Sequence, residues 1–386
     1  MYKLLKNPFY IYVFGFLITF FVYSLGWSEI YPELTLEIKV FFIITFITFT
    51  FFGILVGKLK LIRKTLSVTS VKLISRCFYL TLIFYLIEFI YEGDIPLFAS
   101  LSDRQGVSYM EFGIPLLHGM LISFHSFLIA HTFVTYLSTK RKKLLVYNIL
   151  LYLPALLIIN RSIIVFGILT SFFIYLHFVG KVKIKTQIKL IILALICLFL
   201  FGVIGNLRSG GDYIYDQSKA TKKFLTSSIP KEYYWAYLYV ASPLANFQNT
   251  VNKKKVEEYD FKGFVFYENL PRIISKSLGE TLDIKRRDLI RIVPWLTVGT
   301  TYGRSYSYLG WLGPYFLFLS SLLTYILMLF LVPRNSNYHI TTISILSVIV
   351  FLNIFTNMLI VTGISFQLAY CIIFAFFEKK KFVIKS

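Results

Sequence analysis

Apolar residues run along this chain in long stretches separated by short polar links, with neither a helical stripe nor a strand alternation governing them. A helix needs about 20 apolar residues to cross a hydrocarbon core. Measured against that length, ten spans are predicted near 8–27, 39–57, 73–91, 114–138, 144–159, 162–179, 189–206, 309–332, 340–358 and 360–377. Lipid offers no partner to an unpaired backbone group, so each span is expected to be helical. The first run is too long for a signal-peptide core and has no small-residue cleavage site, so it is expected to remain as a membrane helix. The pattern breaks once, between 206 and 308, where the sequence turns polar and aromatic. The predicted organisation is seven helices over 1–205, one large loop over 206–308, and three helices with a basic tail over 309–386.

Composition agrees with a bilayer protein. Hydrophobic residues make up 57% and charged residues 15%, with a mean hydropathy of +0.70, whereas soluble domains carry about a quarter charged residues. Cys77, Cys197 and Cys371 lie inside apolar runs and have neither metal-ligand nor redox spacing.

The net charge of +21 would suit nucleic acid if it formed a patch, but it follows the links instead. Lys and Arg collect at 3–6, 58–72, 140–143, 181–189, 334 and 379–385, twenty in all, against Lys39, Arg104 and Arg161 in the alternate short links. This is the positive-inside distribution, which makes both termini cytoplasmic and the long loop external, and excludes nucleic acid as a partner. Within that loop, the run Tyr-Tyr-Trp-Ala-Tyr-Leu-Tyr at 233–239 is too short to span and is predicted to lie on the membrane surface as an amphipathic helix. A second helix is predicted over 282–293, stopped by Pro294, with Arg287 and Arg291 sharing one face.

Little chemistry is visible in the spans. Arg76 and Glu88 lie in the third, near enough to its ends to snorkel, and this scarcity disfavours a transporter or channel. Nucleotide-binding, zinc-protease and serine-hydrolase motifs are absent. His118, His125 and His131 share the fourth span, but a seven-residue gap rises about 10.5 Å, too far for one metal ion. His125 and His131 are expected to be packed within the bundle, whereas His118 lies one turn inside the external end. The external arginines are the distinctive signal: Arg104, Arg161, Arg208, Arg272, Arg286, Arg287, Arg291 and Arg304. Guanidinium matches phosphate bidentately and stays ionised, so arginines at headgroup depth suit a lipid-linked diphosphate. Arg161, Arg208 and Arg304 stand at helix–loop junctions. Candidate acid–base groups outside are Glu92, Asp94, Asp103, Glu111, Asp212, Asp216, Glu232, Glu268 and Asp288, which sequence does not rank. Tyr213, Tyr215, Tyr302, Tyr306 and Tyr308 are either surfaces for stacking sugar rings or members of an interfacial belt.

The chain resembles the bacterial O-antigen polymerases (Wzy), the oligosaccharide repeat-unit polymerases. The likeness is spread over Asn7-Pro8-Phe9, Leu25 to Pro32, Ile95-Pro96-Leu97, Tyr109 to Gly119, Asn160-Arg161-Ser162, Arg208, and Tyr239 to Asn246 with its Ser242-Pro243. The loop exit from Thr300 to Gly313 is similar in glycine placement, but Tyr308-Leu309-Gly310 stands where the family pattern has an Asp before Phe-Gly. The resemblance implies an all-α polytopic membrane protein of GT-C-like glycosyltransferase architecture, in the inner membrane, with its active site facing the periplasm. It implies transfer of a growing glycan from undecaprenyl diphosphate to a new undecaprenyl-diphosphate-linked repeat unit, beside a chain-length regulator (Wzz) and a flippase (Wzx). The expected catalytic set is Arg208, Arg304, His118 and Glu111. Arg161, Arg287, Arg291, Arg104, Tyr302 and Tyr306 are expected to bind substrate, without cofactor or metal. An O-antigen ligase and a flippase of lipid-linked oligosaccharide are the alternatives.

Overall fold

The computed structural model describes residues 4–62, 66–102, 112–179, 183–209 and 213–383. All regular structure among them is helical, apart from one antiparallel bridge between Ser28 and Ala220. In chain order the helices are α1 (Pro8–Ser24), α2 (Leu36–Lys58), α3 (Val71–Glu92), α4 (Pro96–Leu101), α5 (Leu117–Thr139), α6 (Lys142–Leu150), α7 (Tyr152–Leu157), α8 (Arg161–Phe178) and α9 (Ile184–Ser209). They continue with α10 (Tyr213–Gln217), α11 (Lys222–Leu225), α12 (Tyr233–Lys253), α13 (Phe261–Asn269), α14 (Arg272–Thr281), α15 (Gly303–Leu309), α16 (Leu312–Leu331), α17 (His339–Leu352) and α18 (Thr362–Val383).

Every predicted apolar span contains helix. By length and composition, α2, α3, α5, α8, α9 and α16 are long and apolar enough to cross a membrane. The apolar helices Pro8–Ser24, His339–Leu352 and Thr362–Glu378 are shorter. The fifth span divides into α6 and α7 around Leu151, because Pro154 has no N–H to return to the Leu150 carbonyl. The links rich in Lys and Arg meet at one end of the bundle. There Ser67 N donates to Ser138 Oγ at 3.0 Å, Val68 N to Asn337 Oδ1 at 2.7 Å, and Lys6 Nζ to Val179 O at 3.4 Å.

The helices differ in depth. In its apolar window α5 is 67% buried and α9 only 6%, so α5 is a central post and α9 a peripheral one. His125 and His131 of α5 are packed inside as expected: His125 Nδ1 meets Tyr85 Oη at 2.8 Å, and His131 bridges Thr69 and Thr341 at 2.9 and 3.0 Å. Glu88 does not snorkel. It is fully buried and pairs with His118 Nδ1 at 2.8 Å.

The long loop is not a separate surface layer. Residues 233–239 are the first third of α12, a 21-residue helix whose Tyr234, Tyr237 and Leu238 are buried, and the predicted membrane-surface helix is corrected accordingly. Leu244 and Phe247 of α12, with Phe264, Tyr302 and Tyr308, join Phe16, Phe41, Phe42 and Leu317 in the largest core cluster. Where these loop residues leave water, apolar burial contributes about 25 cal/mol per Å², whereas helices already in lipid pack through van der Waals contact and interhelical hydrogen bonds.

The predicted helix over 282–293 is absent. That stretch is irregular and extended, and α14 ends before it at Thr281. Its backbone bonds go to α12 side chains instead. Ile290 N donates to Thr250 Oγ1 at 3.0 Å, Asn249 Nδ2 to Ile290 O at 3.0 Å, and Ile292 N to Asn246 Oδ1 at 2.8 Å. Asn246 Nδ2 also donates to Leu296 O at 2.7 Å and Val298 O at 2.8 Å. With polar partners supplied from outside, the backbone has no need of an internal helical ladder. Arg287 and Arg291 therefore do not share a helix face.

Candidate functional site

Three structural pieces surround the site. The first is the α13–α14 corner. Asp260 caps α13 by accepting from Gly263 N at 2.7 Å. Leu270, held extended at φ −103° and ψ 144° by the proline after it, ends that helix and turns the chain into α14. Phe264 and Glu268 are four residues apart on α13, so one buried stripe carries both an aromatic ring and a carboxyl. The second piece is the α15–α16 corner, where Gly310 adopts a left-handed φ of +55°. A Cβ on Gly313 would fall 2.0 Å from Ser305 O, so only glycine permits this close turn. The third piece is the strand-like run 296–301, tied to α12 by Asn246 and to the α17 end by Thr301 N donating to Asn353 O at 2.8 Å. Thr300 in this run has φ +50°, a left-handed conformation unfavourable for a β-branched residue.

These pieces enclose a cavity of about 220 Å³ lined by Glu268, Arg272, Leu289, residues 297–301, Arg304, Thr356 and Asn357. That volume equals roughly seven waters of liquid.

Glu268 is 1% exposed, and Asn357 Nδ2 fixes its backbone carbonyl at 2.7 Å. Its Oε1 stands 3.6 Å from Arg304 Nη1, beyond hydrogen-bond distance. Neither Glu268 Oε1 nor Arg304 Nε has a hydrogen-bond partner. Arg304 Nε also faces Asp288 Oδ1 at 3.9 Å, but that carboxylate is 79% exposed. Burial pushes the Glu268 carboxyl up to about 7, against the opposing pull of Arg304, Arg286 and Arg272. The arrangement is a buried acceptor and an unsatisfied guanidinium Nε beside an open volume, with cations in excess. Chemically it can hold an anion and exchange one proton near neutral pH.

Of the expected catalytic residues whose side chains are described, Arg304 lines this cavity and His118 does not. Arg208 is in the last turn of α9 and Arg161 opens α8 after its Asn160 cap; both stand at helix ends, and Arg161 does not line the cavity. His118, 18% exposed, serves Oε2 of the buried Glu88, whose Oε1 has no hydrogen-bond partner. α5 packs against α14 one residue from each site, since a Cβ on Gly119 would come within 3.3 Å of Ile273 Cδ1. Glu111 and Arg104 lie outside the described residues.

Several expected substrate-binding residues have structural partners instead. Arg287 pairs with Asp260 at 3.6 Å, and its Nη1 donates to Glu258 O and Ser307 O. Arg291 Nη1 donates to Pro294 O at 2.7 Å on the surface. Tyr302 is corrected outright: it is buried, its hydroxyl 2.7 Å from Tyr12 Oη, so no sugar can stack on it. Tyr306 is half-buried with its ring edge-on to Trp311. Tyr308, at the position where a carboxylate was expected, accepts from Arg287 N at 2.8 Å and braces the extended segment.

Sequence reasoning left Glu268 and Arg272 unranked among the external charges. The legible signal was the carboxyl four residues from Phe264 on an aromatic stretch, a charged group on what becomes the buried stripe. The chain matches no family model, no curated protein and no solved structure.

Proposed function

We propose that this protein is a membrane glycosyltransferase that lengthens a surface polysaccharide from lipid-diphosphate-linked repeat units, as its resemblance to O-antigen polymerases implies. The observation that carries this reading is the cavity in which Arg272 and Arg304 flank the buried Glu268. Breaking a glycosyl–diphosphate bond builds negative charge on the departing oxygen. Preoriented guanidinium groups in a site shielded from water stabilise that charge most where it develops. The donor is then a glycan on undecaprenyl diphosphate, and the acceptor a new lipid-linked repeat unit. The lysine-rich end of the bundle faces the cytoplasm of the inner membrane, and the cavity, lined mostly by the connection between α9 and α16 with Thr356 and Asn357 from the turn after α17, faces the periplasm. A chain-length regulator and a flippase are the expected companions.

A lipopolysaccharide gel of a strain lacking the gene tests this reading. Core bearing a single repeat is the expected result. Core alone would indicate a ligase or flippase, and an unchanged ladder would overturn a role in this polymer.

A further inference from the structure

We propose that Glu268 is the catalytic base that takes the proton from the attacking sugar hydroxyl, while Arg272 and Arg304 receive the departing diphosphate in the same cavity. The inference rests on the polymerase reading and names the base that the sequence, with Tyr308 at the loop exit, left open among the external carboxylates and His118.

The geometry is specific. Glu268 lines the cavity, is buried on the α13 stripe, and keeps an oxygen that no protein donor fills. An unfilled acceptor of this kind is costly unless a ligand donor completes it. A hydroxyl of the acceptor sugar is such a donor. The charged and titratable groups facing Glu268 are Arg304 on α15, Arg272 on α14, Arg286 on the extended segment and the Tyr308 hydroxyl, with Asp288 beyond Arg304. None of these is a neutral base. The arginines stay protonated, burial pushes the tyrosine further from ionising, and the Asp288 carboxylate is 79% exposed and outside the cavity lining.

The step balances without a further reactant. The acceptor oxygen bonds to the anomeric carbon of the donor glycan as its O–H proton passes to a Glu268 oxygen. The bond from that carbon to the diphosphate breaks, and its electron pair leaves on the diphosphate oxygen between the two arginines. A diphosphate held by guanidinium groups departs without being protonated, whereas an alcohol with an ordinary high pKa must lose its proton as the bond forms. The carboxyl is therefore needed as base rather than acid, and a base poised near neutrality is the efficient one.

The test uses full-length purified protein in lipid, a defined lipid-diphosphate-linked repeat unit, and Glu268→Gln and Glu268→Asp variants assayed from pH 5 to 9. Wild type should lose about tenfold in rate per pH unit on the acid side. Glu268→Gln should be slower by roughly 10²-fold or more at neutral pH and lack that acid limb. Glu268→Asp should keep the limb with reduced rate, and all three proteins should bind undecaprenyl diphosphate within a few-fold of one another. Wild-type rates in Glu268→Gln, or an acid limb that survives in it, would overturn the proposal. So would a loss of activity that tracks loss of diphosphate binding and of folding. A folded wild type that forms no polymer at any pH would overturn the polymerase reading itself, and the base assignment with it.

Discussion

Glu268 Oε1 and Arg304 Nη1 stand 3.6 Å apart across the wall of a cavity, and neither the carboxyl Oε1 nor the guanidinium Nε is satisfied by the protein. Two buried groups of opposite charge that stop short of a hydrogen bond are poorly explained as a stabilising pair, because desolvation costs each of them more than so long a contact returns. They are better explained as the two sides of a ligand site.

The first consequence is for stability against pH. The folded Glu268 carboxyl titrates near 7 and its ordinary value is 4.5, so between those values the folded protein binds more protons than the unfolded chain. Stability from this group is complete below the ordinary value and is lost as pH rises through 7. The shift corresponds to about 3 kcal/mol. Glu268→Gln should therefore melt at or above the wild-type temperature at pH 8 and lose that advantage at pH 5. Thermal unfolding in detergent at both pH values checks this, and a variant less stable than wild type at pH 8 would mean the carboxylate is a structural partner of the arginines.

The arginines should separate by location. Arg304→Ala should cut polymerisation by about 10²-fold or more, the scale of removing one preoriented charge-stabilising donor. Arg291→Ala, which removes only a surface contact to Pro294 O, should stay within a few-fold of wild type. Initial rates on a lipid-linked repeat measure both, and equal losses would detach the function from the cavity.

Asn246 should act as a structural hinge-pin for the cavity wall. Its amide holds Ile292 N, Leu296 O and Val298 O. Asn246→Ala leaves those three backbone groups unpaired, at about 1–3 kcal/mol for each that stays buried. A lower melting temperature together with lost activity is the expected outcome. Asn246→Asp should rescue neither, since it cannot donate to the two carbonyls. A variant with normal melting and normal activity would show that the extended segment finds its partners elsewhere.

His118 should matter through Glu88. His118→Ala leaves a fully buried carboxyl without a hydrogen bond on either oxygen and should cost about 3 kcal/mol or more. Adding Glu88→Gln to that variant should recover part of the loss. A double-mutant cycle on melting free energies measures the coupling. A His118→Ala protein that melts normally but cannot polymerise would return His118 to the catalytic set.

How far the sequence carried these conclusions depends on the range of the forces involved. The ten apolar stretches all contain helix because each carries its own apolar run, though six of the helices are long and apolar enough to cross a hydrocarbon core and the fifth stretch is broken at Pro154. The clustering of lysine-rich links at one bundle end follows from the alternation of those runs. Arg304 at a helix start beside glycines was visible for the same local reason. Residues 282–293 were misjudged because their conformation is set by Asn246, Asn249 and Thr250, some 40 positions away. No local pattern records that partnership. Glu268 was one carboxylate among nine because its burial arises only when α13 packs against α15 and the turn around Asn357. Tyr302 looked like a sugar platform until its hydroxyl was found against Tyr12, nearly 300 residues earlier.

The most direct test of the central claim is polymerisation by the purified protein of a defined repeat unit linked to undecaprenyl diphosphate, with the released lipid diphosphate counted alongside. The wild type should form a ladder of products and release one lipid diphosphate per repeat added, and the protein carrying both Arg272→Ala and Arg304→Ala should form none while remaining folded. A folded wild type that makes no polymer, or a double variant that makes it at the wild-type rate, would contradict the account.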